Sequence, residues 1–209
     1  MNPTARRLRA VPILIAANVL VYLYQVTLAS PQFLRLFALS ASGLEAGRWW
    51  QFFTHAFLHG NTMHLLFNMV GLWCAGRTVE RVMGTGRFLA LFAISAAAGG
   101  VFQLAIGGPG TLLGASGAVL GVILAFTTLF PESQIVVLLL VIPVRMRAKY
   151  LGWGITGSSL LLVLTGWLPG IGHAAHLGGC VAGYLFARLS GHCSSSPRTS
   201  RESGRSRSE

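Results

Sequence analysis

The residue types able to do chemistry in this 209-residue sequence gather at three places. The first is His55-x-x-x-His59, followed by His64-x-x-x-Asn68; the second is Gly114-Ala115-Ser116-Gly117-Ala118; the third is His173-Ala174-Ala175-His176-Leu177-Gly178-Gly179. A serine hydroxyl becomes a nucleophile when an imidazole accepts its proton, so Ser116 and His176 are a candidate nucleophile and general base. Attack on a carbonyl also needs donors where negative charge develops. His64 and Asn68 stand four apart, on one face of a helix, and offer an imidazole N–H and an amide N–H. The backbone N–H of Ser116, at the start of a helix, would add a third. Each cluster taken singly also fits a plainer role: close helix packing around Ser116, an interhelical hydrogen bond for Asn68, a satisfied polar contact for His64.

These residues act together only if separate elements carry them to one place. Charged residues make up 10% of the chain, against about 25% in soluble domains, and mean hydropathy is +0.64. Uncharged runs then mark six apolar spans of about 11–29, 53–75, 88–106, 115–130, 150–167 and 173–188, each near the roughly 20 residues that cross a bilayer. Gly107-Gly108-Pro109-Gly110 and Leu168-Pro169-Gly170-Ile171-Gly172 divide the longer runs. The stretch Ile135–Val144 is apolar but too short to cross, and is expected to be an interfacial or partly embedded loop. A cleaved signal peptide ending near Thr27-Leu28-Ala29 is the other reading of the first run, which is long for one. Gly117-x-x-x-Gly121 and Gly179-x-x-x-Gly183 permit close approach of spans four and six, which would bring Ser116 within hydrogen-bond reach of His176.

Charge placement gives the orientation. With six spans, fourteen of the sixteen basic residues fall on the side of both termini, and only Arg35 and Arg48 fall opposite. The positive-inside rule puts that side in the cytoplasm. The net charge of +11 then follows from topology and contact with anionic lipid, and no nucleic-acid partner is expected. The three polar clusters lie toward the outer half of the bilayer, where ionisable groups inside spans point to function. A Ser-His-Asp triad needs an acid to orient the imidazole, yet the chain has no Asp. Glu80, Glu132, Glu202 and Glu209 fall on the cytoplasmic side, and Glu45 lies in the first outer loop. The economical arrangement is a Ser-His dyad. The three cysteines, Cys74, Cys180 and Cys193, show neither CxxC spacing nor a disulfide framework.

The strings "HAFLHGNTMHLLFN" (His55–Asn68), "GASGAVLG" (Gly114–Gly121) and "AHLGGCVAG" (Ala175–Gly183), on spans two, four and six, resemble the rhomboid family of intramembrane serine proteases over roughly residues 45–188. The resemblance implies an all-α polytopic membrane protein, a six-transmembrane-helix bundle with both termini cytoplasmic. It is divided as a cytoplasmic N-terminal segment (1–10), a membrane protease domain (11–189) and a disordered basic Ser/Arg-rich tail (190–209). It implies Ser116 as nucleophile, His176 as general base, and His64 and Asn68 as oxyanion donors, with Gly114 in the loop entering span four and Glu80 in a structural role. It further implies no cofactor or metal, membrane-protein substrates cleaved in or near transmembrane helices, and a cell-membrane location with the site toward the extracytoplasmic side. Span five is then expected to be a lateral gate and the loop Leu168–Gly172 a cap. The family's first outer loop has a Trp-Arg pair where this chain reads Arg48-Trp49-Trp50-Gln51, so no role is carried over to the arginine. Tryptophans there fit an interfacial anchor, and His59 and His173 fit helpers of geometry or hydration.

Three other readings compete. Histidine spacing in His55-x-x-x-His59 and His173-x-x-His176 is ligand-like, which would suit a membrane metalloenzyme, but no H-E-x-x-H motif accompanies it. A non-catalytic rhomboid-like scaffold would be expected to have lost Ser116 or His176. A transporter would be expected to show repeated halves, and none is present.

Overall fold

The computed structural model describes residues 10–139, 142–168 and 170–192. The expected N-terminal segment 1–10, except Ala10, lies outside them. So does the expected disordered tail from residue 193 onward; its first three positions, 190–192, belong instead to the last helix.

Helix α1 (Ala10–Thr27) is followed by three short helices that fold the first loop, α2 (Pro31–Phe37), α3 (Ala41–Glu45) and α4 (Gln51–Thr54). Next come α5 (Thr62–Gly71), a π-helical segment Leu72–Gly76 and α6 (Arg77–Met83), which run on from one another. Then follow α7 (Thr85–Ile106), α8 (Ser116–Leu129), a β-hairpin, α9 (Ala148–Thr165) and α10 (His173–His192). Helices α1 and α7 are long and apolar enough to cross a membrane, with mean hydropathies of 1.7 and 2.0, and only 22% and 33% of those stretches is buried. A core helix of a soluble protein would be largely covered. Here Leu20, Leu23, Phe67, Val101, Leu161 and Leu185 are exposed on the outside of the bundle, far more apolar surface than water tolerates on a monomer.

The helix of the second apolar run starts about nine residues later than that run suggests. The run begins at Phe52, but residues 51–57 form two short turns, and the helix starts only at Thr62. Asn61 sets that start: its backbone is extended and its side chain accepts a hydrogen bond from the His64 amide at 2.8 Å, as an N-cap does. His55 and His59 therefore precede the span instead of lining its mouth, and they share no helical face. The apolar stretch between α8 and α9 also differs from expectation. It is an antiparallel hairpin of β1 (Gln134–Leu139) and β2 (Ile142–Arg147), with Val137 opposite Val144 and Gln134 opposite Arg147. Pro143 lies in β2 opposite Leu138. A two-stranded ribbon has free edges, where a residue lacking an N–H is tolerated.

The centre of the bundle is α10 against α7 and α8. A Cβ at Gly178 would lie 2.6 Å from the Ala98 carbonyl oxygen; Cβ atoms at Gly179 and Gly183 would collide with the carbonyls of Gly117 and Gly121. The paired glycines let the backbones of α8 and α10 touch, as their spacing in both spans anticipates. At the other end Glu80 is buried. Its two carboxylate oxygens accept from the Ala10 amide (2.9 Å) and the Val11 amide (3.1 Å), and Thr85 Oγ1 donates to it at 2.8 Å. One acid thus satisfies the first two amide donors of α1, which have no intrahelical partner, and ties α1, α6 and α7 together. Glu80→Ala strands these donors, and a loss of about 2–4 kcal/mol is expected. Thermal unfolding in detergent will show it as a lowered transition.

Candidate active site

Helix α8 carries Ser116 at its first turn, and α10 carries His176 at its own. The loop before α8 is held from two directions. Leu39 in the first loop and Leu112 exchange backbone hydrogen bonds at 3.0 and 2.8 Å, and the Gly114 amide donates to the His55 carbonyl at 2.9 Å. Gly114 has φ of +125°, and a Cβ there would lie 2.5 Å from His64 Cε1. Only glycine permits that conformation and that approach, so the His64 ring lies against the backbone two residues before Ser116.

His176 Nε2 and Ser116 Oγ are 2.9 Å apart, a good hydrogen-bond length between residues sixty positions apart in sequence. Helix α8 opens at Ala115 without a side-chain cap, so the amides of its first turn, beginning at Ser116, lack an intrahelical partner. Asn68 is buried and donates one amide N–H to the His64 carbonyl at 2.8 Å; its second N–H is not needed for that bond. His64 and Asn68 share one face of α5, as their spacing predicts. The His64 ring reaches the loop that enters α8 through its approach to Gly114. A serine hydroxyl hydrogen-bonded to an imidazole at an uncapped helix start is an arrangement that acyl transfer can use.

Three further histidines occupy distinct places. The His173 ring stands edge-on to His176, with centroids 6.0 Å apart and an 82° interplanar angle, and its Nε2 lies 3.2 Å from the Leu168 carbonyl. It braces both the imidazole and the loop before α10. His59 is fully buried, its ring 5.2 Å from that of His64 and 6.4 Å from that of Tyr22. His55 is buried with its Nε2 3.3 Å from the Ala96 carbonyl. Among the described residues no three His, Cys, Asp or Glu side chains converge as metal ligands. Glu45 is exposed at the end of α3.

Three further residues position the loops around the site. Gln25 brackets His59, donating to its carbonyl at 2.6 Å and accepting from its amide at 3.1 Å. Gln51 is fully buried and donates to the Arg35 carbonyl at 2.9 Å while its oxygen lies 3.3 Å from the Ser40 amide. Leu39 forms the bridge to Leu112. Gln25 carries a sequence signal, a neutral amide inside the first apolar run; Gln51 lies just before the second. In the first loop Trp50 Nε1 also donates to the Leu36 carbonyl at 2.8 Å, so the displaced Arg48-Trp49-Trp50-Gln51 still closes the loop, chiefly through Trp50 and Gln51.

Residues 46–192 match the family model described as the Rhomboid domain. The chain belongs to the rhomboid family, a family of helical, polytopic, membrane-embedded proteins. Its relatives include proteins named rhomboid protease GlpG from Salmonella newport (strain SL254), Salmonella typhi and Salmonella typhimurium (strain LT2), each 31% identical over 144 residues. That segment is 66% of this chain and 47% of each relative, so the chain spans about half the length of the curated relatives it matches.

Proposed function

We propose that this protein is a serine endopeptidase of membranes, hydrolysing peptide bonds in or near transmembrane helices of membrane-protein substrates. The observation that carries the reading is the 2.9 Å approach of His176 Nε2 to Ser116 Oγ, within a chain of a family whose relatives are named proteases. Ser116 Oγ attacks the scissile carbonyl as His176 takes its proton. His64, Asn68 and the first amides of α8 hold the oxyanion, and His176 then protonates the leaving amine. Among the described residues no carboxylate is bonded to His176; its imidazole is oriented by His173 and by the close seat of α10 on α8.

The proposed topology has six spans, α1, α5–α6, α7, α8, α9 and α10, with both termini cytoplasmic and the dyad toward the extracytoplasmic side of the cell membrane. It follows from the fourteen basic residues on the side of the termini. A cavity of about 330 Å³ is bordered by His173, Gln103, Trp167 and Leu168, and the His173 ring also stands edge-on to His176; this supports a route for water that a bilayer does not offer. A substrate helix must unwind before its carbonyl can be attacked, so Gly, Ala or Pro near the scissile bond favours cleavage.

The reading is tested by a fluorophosphonate, which forms a covalent adduct only with an activated serine. Incubation with the detergent-solubilised protein is expected to modify Ser116 and stop cleavage, with peptide mapping by mass spectrometry as readout. Modification elsewhere, or none beside full chelator-sensitive activity, would refute it. Asn68→Ala tests the oxyanion assignment. Loss of one donor lowers kcat by roughly 10²–10³ with KM little changed, measured by steady-state cleavage in proteoliposomes.

A further inference from the structure

The hairpin between α8 and α9 has two edges that differ in composition. Strand β2 contains Pro143, which lacks an N–H, and the exposed Arg145 and Arg147; Arg147 is also bound to Glu132 at 2.8 Å. Proline and charge are means by which a sheet edge is kept from pairing with another chain. Strand β1 (Gln134–Leu139) has neither, and its Ile135, Val136 and Val137 favour extended backbone. Among the described residues β1 is paired on one side only, by β2, and Val136 is 60% exposed. The outer edge of β1 is therefore open and unguarded.

A bilayer does not cover such an edge, because its amides and carbonyls would find no partner in hydrocarbon. Nor does the C-terminal stretch of the chain suit it: residues 193–209 contain no Val, Ile, Phe, Tyr or Trp, the residue types that favour strands besides Thr. A second β1 does suit it. A two-fold axis normal to the sheet, through Val136 or Val137, sets this uncharged strand antiparallel to its own copy.

We propose that two copies of the chain associate in this way, forming a four-stranded sheet of order β2-β1-β1-β2. The pairs Ile135–Met146 and Val137–Val144 then continue as one apolar face across the axis. A two-stranded ribbon is marginal alone, whereas more strands sharing an apolar face are stable. Charge selects β1 over β2 as the meeting edge. Pairing through β2 would set Arg145 near its own copy, and like charges facing each other across strands are destabilising. In the proposed order the two Arg145 stand three strand spacings apart, about 14 Å, beyond the roughly 8 Å screening length at physiological salt. The unguarded edge of each copy is consumed, so assembly closes at two.

The test uses the full chain in liposomes over a range of protein-to-lipid ratios. In Val136→Cys a short bismaleimide should join two copies, with mass spectrometry mapping the link to residue 136 of each. Arg145→Cys, on the outer strand, should give little such link. Val136→Glu supplies a second arm. Within its own hairpin this carboxylate faces Arg145, a favourable pair, but near the axis it meets its own copy within about 8 Å. Dimerisation, read as energy transfer between labelled copies, should weaken by about threefold or more. Val136→Lys should weaken it too, and mixing the two variants should restore it. Energy transfer absent from the wild type at every ratio would overturn the assignment. So would a dimer indifferent to charge at residue 136, or equal linking from residues 136 and 145. Association is read without proteolysis, so its failure leaves the catalytic proposal untouched.

Discussion

Ser116→Ala is expected to lower cleavage of a reconstituted transmembrane substrate by ~10⁴-fold or more while the thermal unfolding transition stays in place. The change deletes one oxygen at the first turn of α8, where alanine forms helix at least as well as serine. The backbone amides of that turn remain, so the oxyanion donors and the substrate contacts survive and only the nucleophile is lost. His176→Ala should give a loss of similar size, because an alcohol without its base is a poor nucleophile at neutral pH. The double variant is the sharper measurement. Groups that act as a unit are not additive, so Ser116→Ala/His176→Ala should be about as inactive as either single change. A product of the two losses, or turnover by Ser116→Ala near the wild-type rate, would remove the dyad. The absence of Asp adds a simplification: no third carboxylate variant should reproduce these losses, and Glu45→Gln should leave the rate unchanged.

Much of this site can be read from the sequence because it is encoded by short spacings along single helices. His64 and Asn68 are one turn apart, and Gly117, Gly121, Gly179 and Gly183 mark the faces on which α8 and α10 meet. Such patterns depend only on helix periodicity. Features set by the start of an element or by long-range pairing are harder to read. The second span looks continuous from Phe52 because hydropathy does not register the turn at Gly60-Asn61; the Asn61 cap moves the helix to Thr62 and leaves His55 and His59 outside it. The hairpin after α8 is hidden for a related reason. A proline within an apolar stretch argues against a strand, and only the free edge of a two-stranded ribbon accommodates Pro143. The Leu39–Leu112 bridge leaves no local trace at all, since it pairs two backbones from distant loops. Glu80 lies between these cases: the resemblance implies a structural role for it, but its partners, the first amides of α1, are known only from the fold.

Gly179→Val should abolish the dyad geometry without touching either member of it. The nearest atoms to a Cβ at this position belong to the Gly117 backbone: its carbonyl oxygen in collision, its carbonyl carbon at 2.7 Å and its Cα at 3.0 Å. A flexible side chain could rotate away; helix backbone cannot, so α10 must move off α8. His176 is one turn before Gly179 and Ser116 immediately precedes Gly117, so the displacement acts directly on the 2.9 Å contact. A shift of about 1 Å breaks that bond and costs on the order of 10²-fold in rate. Overpacking adds about 1–3 kcal/mol of instability. Gly154→Ala and Gly157→Ala are the matched comparison on α9. No atom lies within 4 Å of a Cβ at either site, and replacing glycine inside a helix favours it by up to about 1 kcal/mol. These two variants should unfold at or above the wild-type temperature and keep their fluorophosphonate reactivity, while Gly179→Val loses it. Wild-type reactivity in Gly179→Val would mean that α8 and α10 tolerate separation, and that the contact between Ser116 and His176 does not depend on the glycine seam.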